Sequence, residues 1–162
     1  MNKLLLKVAG GLVGFFVLIQ LVPYGRDHTN PPGNVEPAWD STATRDLVAR
    51  ACFDCHSNQT KWPWYSNVAP VSWLVQYDVE EGRETLNFSE FDKPQEEADE
   101  AAEAVQEGEM PDPKYLLTHA EARLTPAEKE QLVKGLLATL GGELEGGGVG
   151  GAGGRDEDGD DD

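Results

Sequence analysis

Cys52-Phe53-Asp54-Cys55-His56 is the stretch that organises this chain of 162 residues, because it holds both cysteines and a histidine follows the second directly. A Cys-x-x-Cys-His pattern is typical of covalent c-type haem attachment. Each thiol can add to one vinyl group, and the two-residue spacer lets both sulfurs reach one porphyrin edge while the imidazole approaches the iron. The pattern therefore predicts one covalent haem c, held by Cys52 and Cys55 with His56 as an iron ligand.

Three other kinds of site compete for the same two cysteines. A thioredoxin-like dithiol needs a βαβ context, whereas the flanking segments have helix and loop patterns. A structural zinc site needs about four ligands, and outside the motif only His28 and His119 remain as histidine or cysteine donors. A disulfide across so short a loop would constrain little of the unfolded chain. Haem attachment is the interpretation that we favour.

A low-spin electron carrier also needs a sixth iron ligand, usually Met or His. Met110 is the only methionine after the initiator, and it lies in the tight loop Gly108-Glu109-Met110-Pro111. A Met followed by Pro loses little entropy on ligation, so Met110 is the predicted distal ligand and, with His56, the predicted metal site. His119 is the rival ligand, and His28 is the weakest candidate. An open sixth position would instead indicate gas binding or sensing.

The amino terminus predicts a membrane anchor over residues 1–24. Its segment 8–22 is apolar apart from Gln20, and two lysines precede that segment. A helix over residues 4–24 would be about 31 Å long, enough to cross a bilayer core. A cleaved signal peptide is the alternative, although no clean pair of small residues marks a cleavage site. The positive-inside rule then predicts a single-pass inner (cytoplasmic) membrane protein with its haem domain on the periplasmic side.

Composition divides the rest of the chain into three parts. Residues 25–40 contain Pro31, Pro32 and Pro37 and are predicted to be an extended linker. Residues 41–140 are predicted to be the c-type haem-binding domain. Residues 141–162 hold eight acids and ten glycines, which predicts a disordered acidic tail. The formal net charge of −17 argues against nucleic acid as a ligand.

Within residues 41–140 the apolar residues recur at helical rather than strand spacing. Helices are predicted to begin near Thr42, at Pro70, after Pro94 and at Thr125, where Glu128 completes a capping box. A loop rich in proline and aromatic residues lies before Pro70. The fold class is all-α: a small cytochrome c-like helical domain with long loops around a covalent haem, preceded by an N-terminal transmembrane helix. The predicted walls of the haem pocket are Trp62, Trp64 and Trp73.

Over about residues 40–140 the chain resembles the bacterial haem-binding domain family of c-type cytochrome-like proteins. The segments that carry the resemblance are 52–60, 62–65, 69–73, 82–83, 86–89, 108–111, 119–120 and 124–125. The resemblance implies a small exported or membrane-tethered haem protein in which Cys52, Cys55 and His56 carry the haem. The chain departs from the family pattern at Leu140, where an aromatic residue is expected in the final helix.

The predicted function is that of a membrane-tethered periplasmic mono-haem c-type cytochrome that transfers electrons and is not an enzyme. The alternative is a haem-based sensor or ligand-binding module with a displaceable sixth ligand. A peroxidase-like activity is the third choice, because Arg83 is the lone candidate for a distal catalytic pair. The expected partners are a redox protein that the residues do not identify and, through the N-terminal helix, a membrane.

Overall fold

The computed structural model describes residues 2–144. Of the predicted acidic tail, residues 145–162 lie outside this range. The described residues form six α-helices and no strand, apart from an isolated bridge between Val35 and Glu90. The structure therefore confirms the all-α part of the predicted fold class. The helices are α1 (Lys3–Ile19), α2 (Thr42–Ala51), α3 (Phe53–His56), α4 (Val71–Thr85), α5 (Ala101–Glu107) and α6 (Pro126–Leu140), with 3₁₀ turns at Trp64–Asn67, Tyr115–Leu117 and Ala120–Ala122.

The predicted transmembrane helix is wrong. Helix α1 has 17 residues, about 25 Å at 1.5 Å per residue. Within residues 2–144, none of the helices combines the length and apolar character that crossing a bilayer requires. The reason lies at Gln20, whose amide donates to Ala69 O at 2.9 Å and accepts from Ala69 N at 3.0 Å. A loop of the domain thus holds the residue that ends the helix. The predicted single-pass inner-membrane location is wrong for the same reason.

Residues 25–40, predicted as a linker, are extended and lie against the domain. Asn30 donates to Thr60 O at 3.0 Å, and Val35 N donates to Ser89 O at 2.9 Å. Gly25 approaches α4 so closely that a Cβ there would be 2.2 Å from Ser72 O. The segment therefore contributes to the packing around the loops that follow α3.

The core lies between α2, α5 and α6 and includes the first residue of α3. Phe53 is 5% exposed, and its ring centroid is 6.0 Å from that of Phe88, which is 2% exposed. The other buried apolar members are Leu47, Val48, Leu86, Ala102, Val105, Leu132, Val133 and Leu136. Insertion of Phe53 into this cluster fixes α3 to the body of the domain.

Helix ends follow the local signals in most places. The capping box of Thr125 and Glu128 is confirmed, and α5 ends at Gly108 with φ +85°. The N-cap of helix α2 is Ser41, one residue before Thr42, because the Ser41 side chain accepts a hydrogen bond from Thr44 N. Helix α5 is shorter than predicted: residues 95–100 form turns instead. Gln95 accounts for this, since its amide accepts from Asn87 N at 2.8 Å and donates to Glu90 O at 3.0 Å.

The capping box makes the stability of α6 depend on pH. The Glu128 carboxylate accepts from Thr125 N at 2.8 Å and pairs with Arg50 at 2.7 Å. The Thr125 backbone first, and Arg50 next, lower the pKa of Glu128 to about 2. Because this pKa is below that of an unfolded glutamate, the stabilisation is complete above about pH 5 and is lost as the pH falls toward about 2. We expect the Tm of wild type to exceed that of Glu128→Gln at neutral pH, and this difference to shrink as the pH falls from about 5 toward about 2. An equal difference at low and neutral pH would contradict the prediction.

Candidate functional site

The Cys52–His56 stretch folds into a single turn that continues α2. Cys55 N and His56 N both donate to Cys52 O, at 3.2 and 2.9 Å. Both thiols are free and partly buried. Because residues three and four apart lie on one side of a helical turn, Cys52, Cys55 and His56 share one side of this turn. The structure thus brings the three predicted attachment residues together.

The backbone around Leu86 selects the tautomer of His56. Its Nδ1 lies 3.1 Å from Leu86 O, and a carbonyl oxygen only accepts, so Nδ1 carries the proton. The Nε2 lone pair is then available to a metal ion. Burial lowers the pKa of His56, which keeps the imidazole neutral. Phe88 N also donates to His56 O at 2.8 Å, so both the ring and the backbone of this residue are held.

The surroundings of the two thiols argue against the competing sites. Burial raises the pKa of Cys52 and of Cys55 to about 12, and the carboxylate of Asp78 adds to the effect at Cys55. A redox dithiol works through a thiol whose pKa is lowered, so this environment is the opposite of what it needs. Among residues 2–144, no group of three or more His, Cys, Asp or Glu side chains could hold a metal ion. Zinc therefore has no ligand set there.

Helix α4 packs directly on the attachment turn. A Cβ at Gly82 would lie 2.8 Å from Cys55 O, so only glycine fits this contact without a shift. The next residue, Arg83, donates to Ser57 O at 2.8 Å and to Thr60 Oγ1 at 2.9 Å. Its Nη1 also donates to Thr29 O and its Nη2 to Asn30 Oδ1, so four of its five N–H donors have partners. Arg83 therefore holds loops in place, and its guanidinium is not free to serve as the distal arginine of a peroxidase-like site.

The side of α4 that contacts Cys55 at Gly82 also carries exposed apolar residues nearer the start of the helix. Val71, Leu74, Asp78 and Gly82 are spaced by three or four residues and so share one side of the helix. Val71 is 42% exposed and Leu74 is 46% exposed, while neighbouring Tyr77 is 54% exposed. A flat apolar group attached to Cys55 would remove this surface from water, which is favourable.

Buried polar atoms without partners lie in the same region of the chain. Within the described residues, four such side-chain atoms have no hydrogen bond: Trp62 Nε1, Ser72 Oγ, Trp73 Nε1 and Gln76 Oε1. Three of them are N–H or O–H donors, and a buried donor without an acceptor is costly. Ser72, Trp73 and Gln76 lie outside the row formed by Val71, Leu74, Asp78 and Gly82, so they are on a different side of α4 from the attachment turn. The fit to a haem therefore rests on the uncovered apolar side of α4 and on His56.

The three tryptophans predicted to line the haem pocket lie in different environments. Trp62 is partly buried and stacks on His28, with ring centroids 4.7 Å apart. Trp73 is partly buried on α4. Trp64 is 80% exposed and meets only the edge of Tyr65, at 5.8 Å between centroids, among the ring contacts described. Trp62 and Trp73 thus face inward, whereas Trp64 lies on the surface.

The rival histidines use their ring nitrogens within the domain. His119 Nε2 lies 3.3 Å from Tyr65 OH, and Nδ1 lies 3.1 Å from Tyr115 O. His28 Nε2 lies 3.0 Å from Ser66 O. Met110 differs, because its side chain is 38% exposed and its backbone N donates to Ala104 O at 3.0 Å. Among the hydrogen bonds of the described residues the thioether thus has no competing partner, whereas both ring nitrogens of His119 and the Nε2 of His28 do.

The loop that follows Met110 reaches the attachment turn. The charge of Asp112 raises the pKa of the Cys55 thiol, after burial and the nearer acids. Tyr115 OH donates to Asp54 Oδ2 at 2.7 Å. Burial and this carboxylate raise the pKa of Tyr115, so its hydroxyl remains a donor. Sequence reasoning missed Asp54, Tyr115 and the packing role of Gly82; the one local signal was a carboxylate in the spacer of the motif.

A protein-family model described as "Haem-binding domain" matches residues 14–138. The matched range contains the attachment turn, all of α4 and the Met110 loop, and it begins inside α1. No curated protein and no solved structure matches the chain.

Proposed function

Because this chain belongs to the haem-binding domain family and its cofactor is haem, we propose that it holds one haem c covalently through Cys52 and Cys55 and transfers electrons. The observation that carries the proposal is the turn on which both free thiols and His56 share one side, with Nδ1 of the imidazole held by Leu86 O. When bound, haem iron supplies a one-electron redox couple. No residue needs to act as an acid or base for that function.

The attachment residues have separate roles in this proposal. Cys52 and Cys55 would each bond one vinyl carbon through Sγ, and the thiol hydrogen would pass to the other vinyl carbon, so the addition would need no oxidant. His56 would ligate the iron through Nε2. Its Nδ1–H donates to Leu86 O at 3.1 Å, which fixes the ring plane and increases the basicity of Nε2.

Met110 is our proposal for the sixth ligand. It follows the left-handed Gly108 that ends α5, and its backbone N is held by Ala104 O at 3.0 Å. Of the histidine alternatives, His119 has both ring nitrogens engaged elsewhere in the domain, and His28 has its Nε2 engaged. Thioether ligation gives a higher reduction potential than two imidazoles do, which suits an electron carrier.

The exposure of Met110, at 38%, favours one second candidate: a haem-based sensor or ligand-binding module with a displaceable sixth ligand. Carbon monoxide added to the reduced protein distinguishes the two functions. A rapid and complete spectral change at low carbon monoxide favours the sensor. A slow or weak change favours the electron carrier.

Haem staining after denaturing electrophoresis tests the covalent bond. Protein produced with a cytochrome c maturation system is expected to stain, and Cys52→Ala/Cys55→Ala is expected to lose all staining because no thioether can form. Intact mass should fall by one haem beyond the change from the two substitutions. The matched control is Gln59→Ala, an exposed residue beside the motif that keeps both thiols. Equal staining of the double variant and wild type would refute the proposal.

A further inference from the structure

A tyrosine–aspartate hydrogen bond ties the Met110 loop to the attachment turn. Asp54 stands between the two cysteines, and its Oδ2 accepts from Tyr115 OH at 2.7 Å. Its Oδ1 accepts from Lys61 N at 3.1 Å, which fixes the carboxylate. Tyr115 and Asp54 are both partly buried. A bond to a carboxylate in such a position is stronger than one between neutral groups.

Backbone hydrogen bonds order the segment between Met110 and Tyr115. Leu116 N donates to Asp112 O at 3.2 Å, and Thr118 N donates to Tyr115 O at 3.2 Å, so residues 112–118 form connected turns. Pro111 has a fixed φ and adds little freedom. On its other side, Met110 N donates to Ala104 O at 3.0 Å. Met110 therefore lies between two anchors, the end of α5 and the Tyr115–Asp54 bond.

The ring of Tyr115 is also oriented by its neighbours. It stacks on His119 with centroids 3.9 Å apart and planes 13° apart. His119 is held in turn by Tyr65 OH, 3.3 Å from Nε2, and by Thr118 Oγ1, 3.1 Å from Nδ1. The stack directs the Tyr115 hydroxyl at Asp54 without any contact between His119 and the carboxylate. The residue that looked like a rival ligand thus supports the loop that holds Met110.

We propose that Tyr115 is a positioning residue whose hydrogen bond to Asp54 holds the Met110 loop over the attachment turn and so sets how often the thioether occupies the sixth position of the haem. This inference rests on the proposed ligation by Met110. Without the hydroxyl, the loop keeps its anchor at α5 but loses its bond to the turn. Met110 then leaves the iron more often, and an external ligand competes more easily.

Tyr115→Phe tests the inference in the full, haem-loaded chain, because it removes the hydroxyl and keeps the stacked ring. We expect unchanged haem staining and a carbon monoxide affinity of the reduced protein that rises about tenfold, the effect of losing one charge-assisted hydrogen bond. The reduction potential should fall, and the near-infrared band of thioether-ligated ferric haem should weaken. A merely structural tyrosine would change the melting temperature and leave these readouts unchanged.

Two controls separate this hydroxyl from others. Tyr65→Phe removes the tyrosine hydroxyl that bonds Thr118 and His119 but not Asp54; it should change the carbon monoxide affinity much less than Tyr115→Phe does, because Tyr115 keeps its own bond to Asp54. The double variant Tyr115→Phe/Asp54→Ala should show no larger change than Asp54→Ala alone, because both remove the same bond. Equal effects of Tyr65→Phe and Tyr115→Phe, or additive effects in the double variant, would overturn the inference.

Met110→Ala distinguishes failure of the inference from failure of the proposed function. If Met110→Ala leaves the potential and the carbon monoxide affinity as in wild type, Met110 is not the ligand and both proposals of its role fail. If Met110→Ala changes them and Tyr115→Phe does not, ligation stands and the positioning role of Tyr115 is refuted.

Discussion

Replacing His56 with glycine is expected to abolish the low-spin spectrum of the haem. Burial favours the neutral imidazole and its Nδ1–H is held by Leu86 O at 3.1 Å, so Nε2 is the nitrogen left for the proposed bond to iron. Glycine removes this ligand and leaves a gap where the ring stood. We expect essentially all of the low-spin absorption to be lost, while the haem held by Cys52 and Cys55 keeps a high-spin spectrum and its reduction potential falls. Millimolar imidazole should restore much of the low-spin spectrum by entering the gap.

His119→Gly is the matched control for this prediction. Its imidazole has partners on both ring nitrogens, Tyr65 OH and Tyr115 O, whereas the bond to Asp54 of the attachment turn is made by Tyr115. We expect His119→Gly to keep low-spin haem, with at most a partial change from the loosened Tyr115 stack. A His56→Gly protein with the wild-type spectrum, or a His119→Gly protein that needs imidazole to regain it, would show that the proximal ligand has been misassigned.

Features of the fold that depend on neighbouring residues could be predicted from the sequence. The capping box of Thr125 and Glu128 spans one helical turn, and Gly108 ends α5 through its own left-handed conformation. The attachment residues belong to the same class, because five consecutive positions place two thiols and an imidazole on one turn. These signals are local, so no distant contact can cancel them.

The errors arise from contacts between residues far apart in the chain. Helix α1 ends early because Gln20 binds the backbone of Ala69, 49 positions away. The carboxylate of Asp54 binds Tyr115, 61 positions away. The hydrophobicity of the first 24 residues does not indicate that Gln20 binds Ala69. The spacing of the Cys-x-x-Cys-His motif does not indicate that Asp54 binds Tyr115. Both become visible only when the loops that carry the partners are placed.

Gly82 shows how one local signal can have two causes. A glycine after an apolar helical run is typical of a helix end, so the sequence by itself indicates that the helix ends at Gly82. The structure continues α4 to Thr85. The glycine is needed instead because α4 crosses the attachment turn at this point, where a Cβ would lie 2.8 Å from Cys55 O and 3.0 Å from Cys55 Cβ.

Gly82→Ala is therefore expected to lower both stability and haem attachment. The new methyl group meets backbone atoms, which cannot rotate away, and overpacking of this kind costs about 1–3 kcal/mol. The higher helix propensity of alanine returns about 1 kcal/mol of that. The remaining strain falls on Cys55, so we expect the thiol to move relative to Cys52 and His56. The measurements are the melting temperature and the haem stain per mole of protein.

Gly135→Ala is the control that separates strain in general from strain at the attachment turn. Its Cβ would lie 2.1 Å from Thr44 Oγ1, at the contact of α2 with α6, so it also overpacks a helix contact. We expect it to lower the melting temperature while leaving the haem stain per mole at the wild-type level. Because Gly82 touches Cys55 and Gly135 does not, only Gly82→Ala should reduce both quantities. If the two variants lose stability and haem in the same proportion, haem attachment follows overall stability and the contact between Gly82 and Cys55 has no special role.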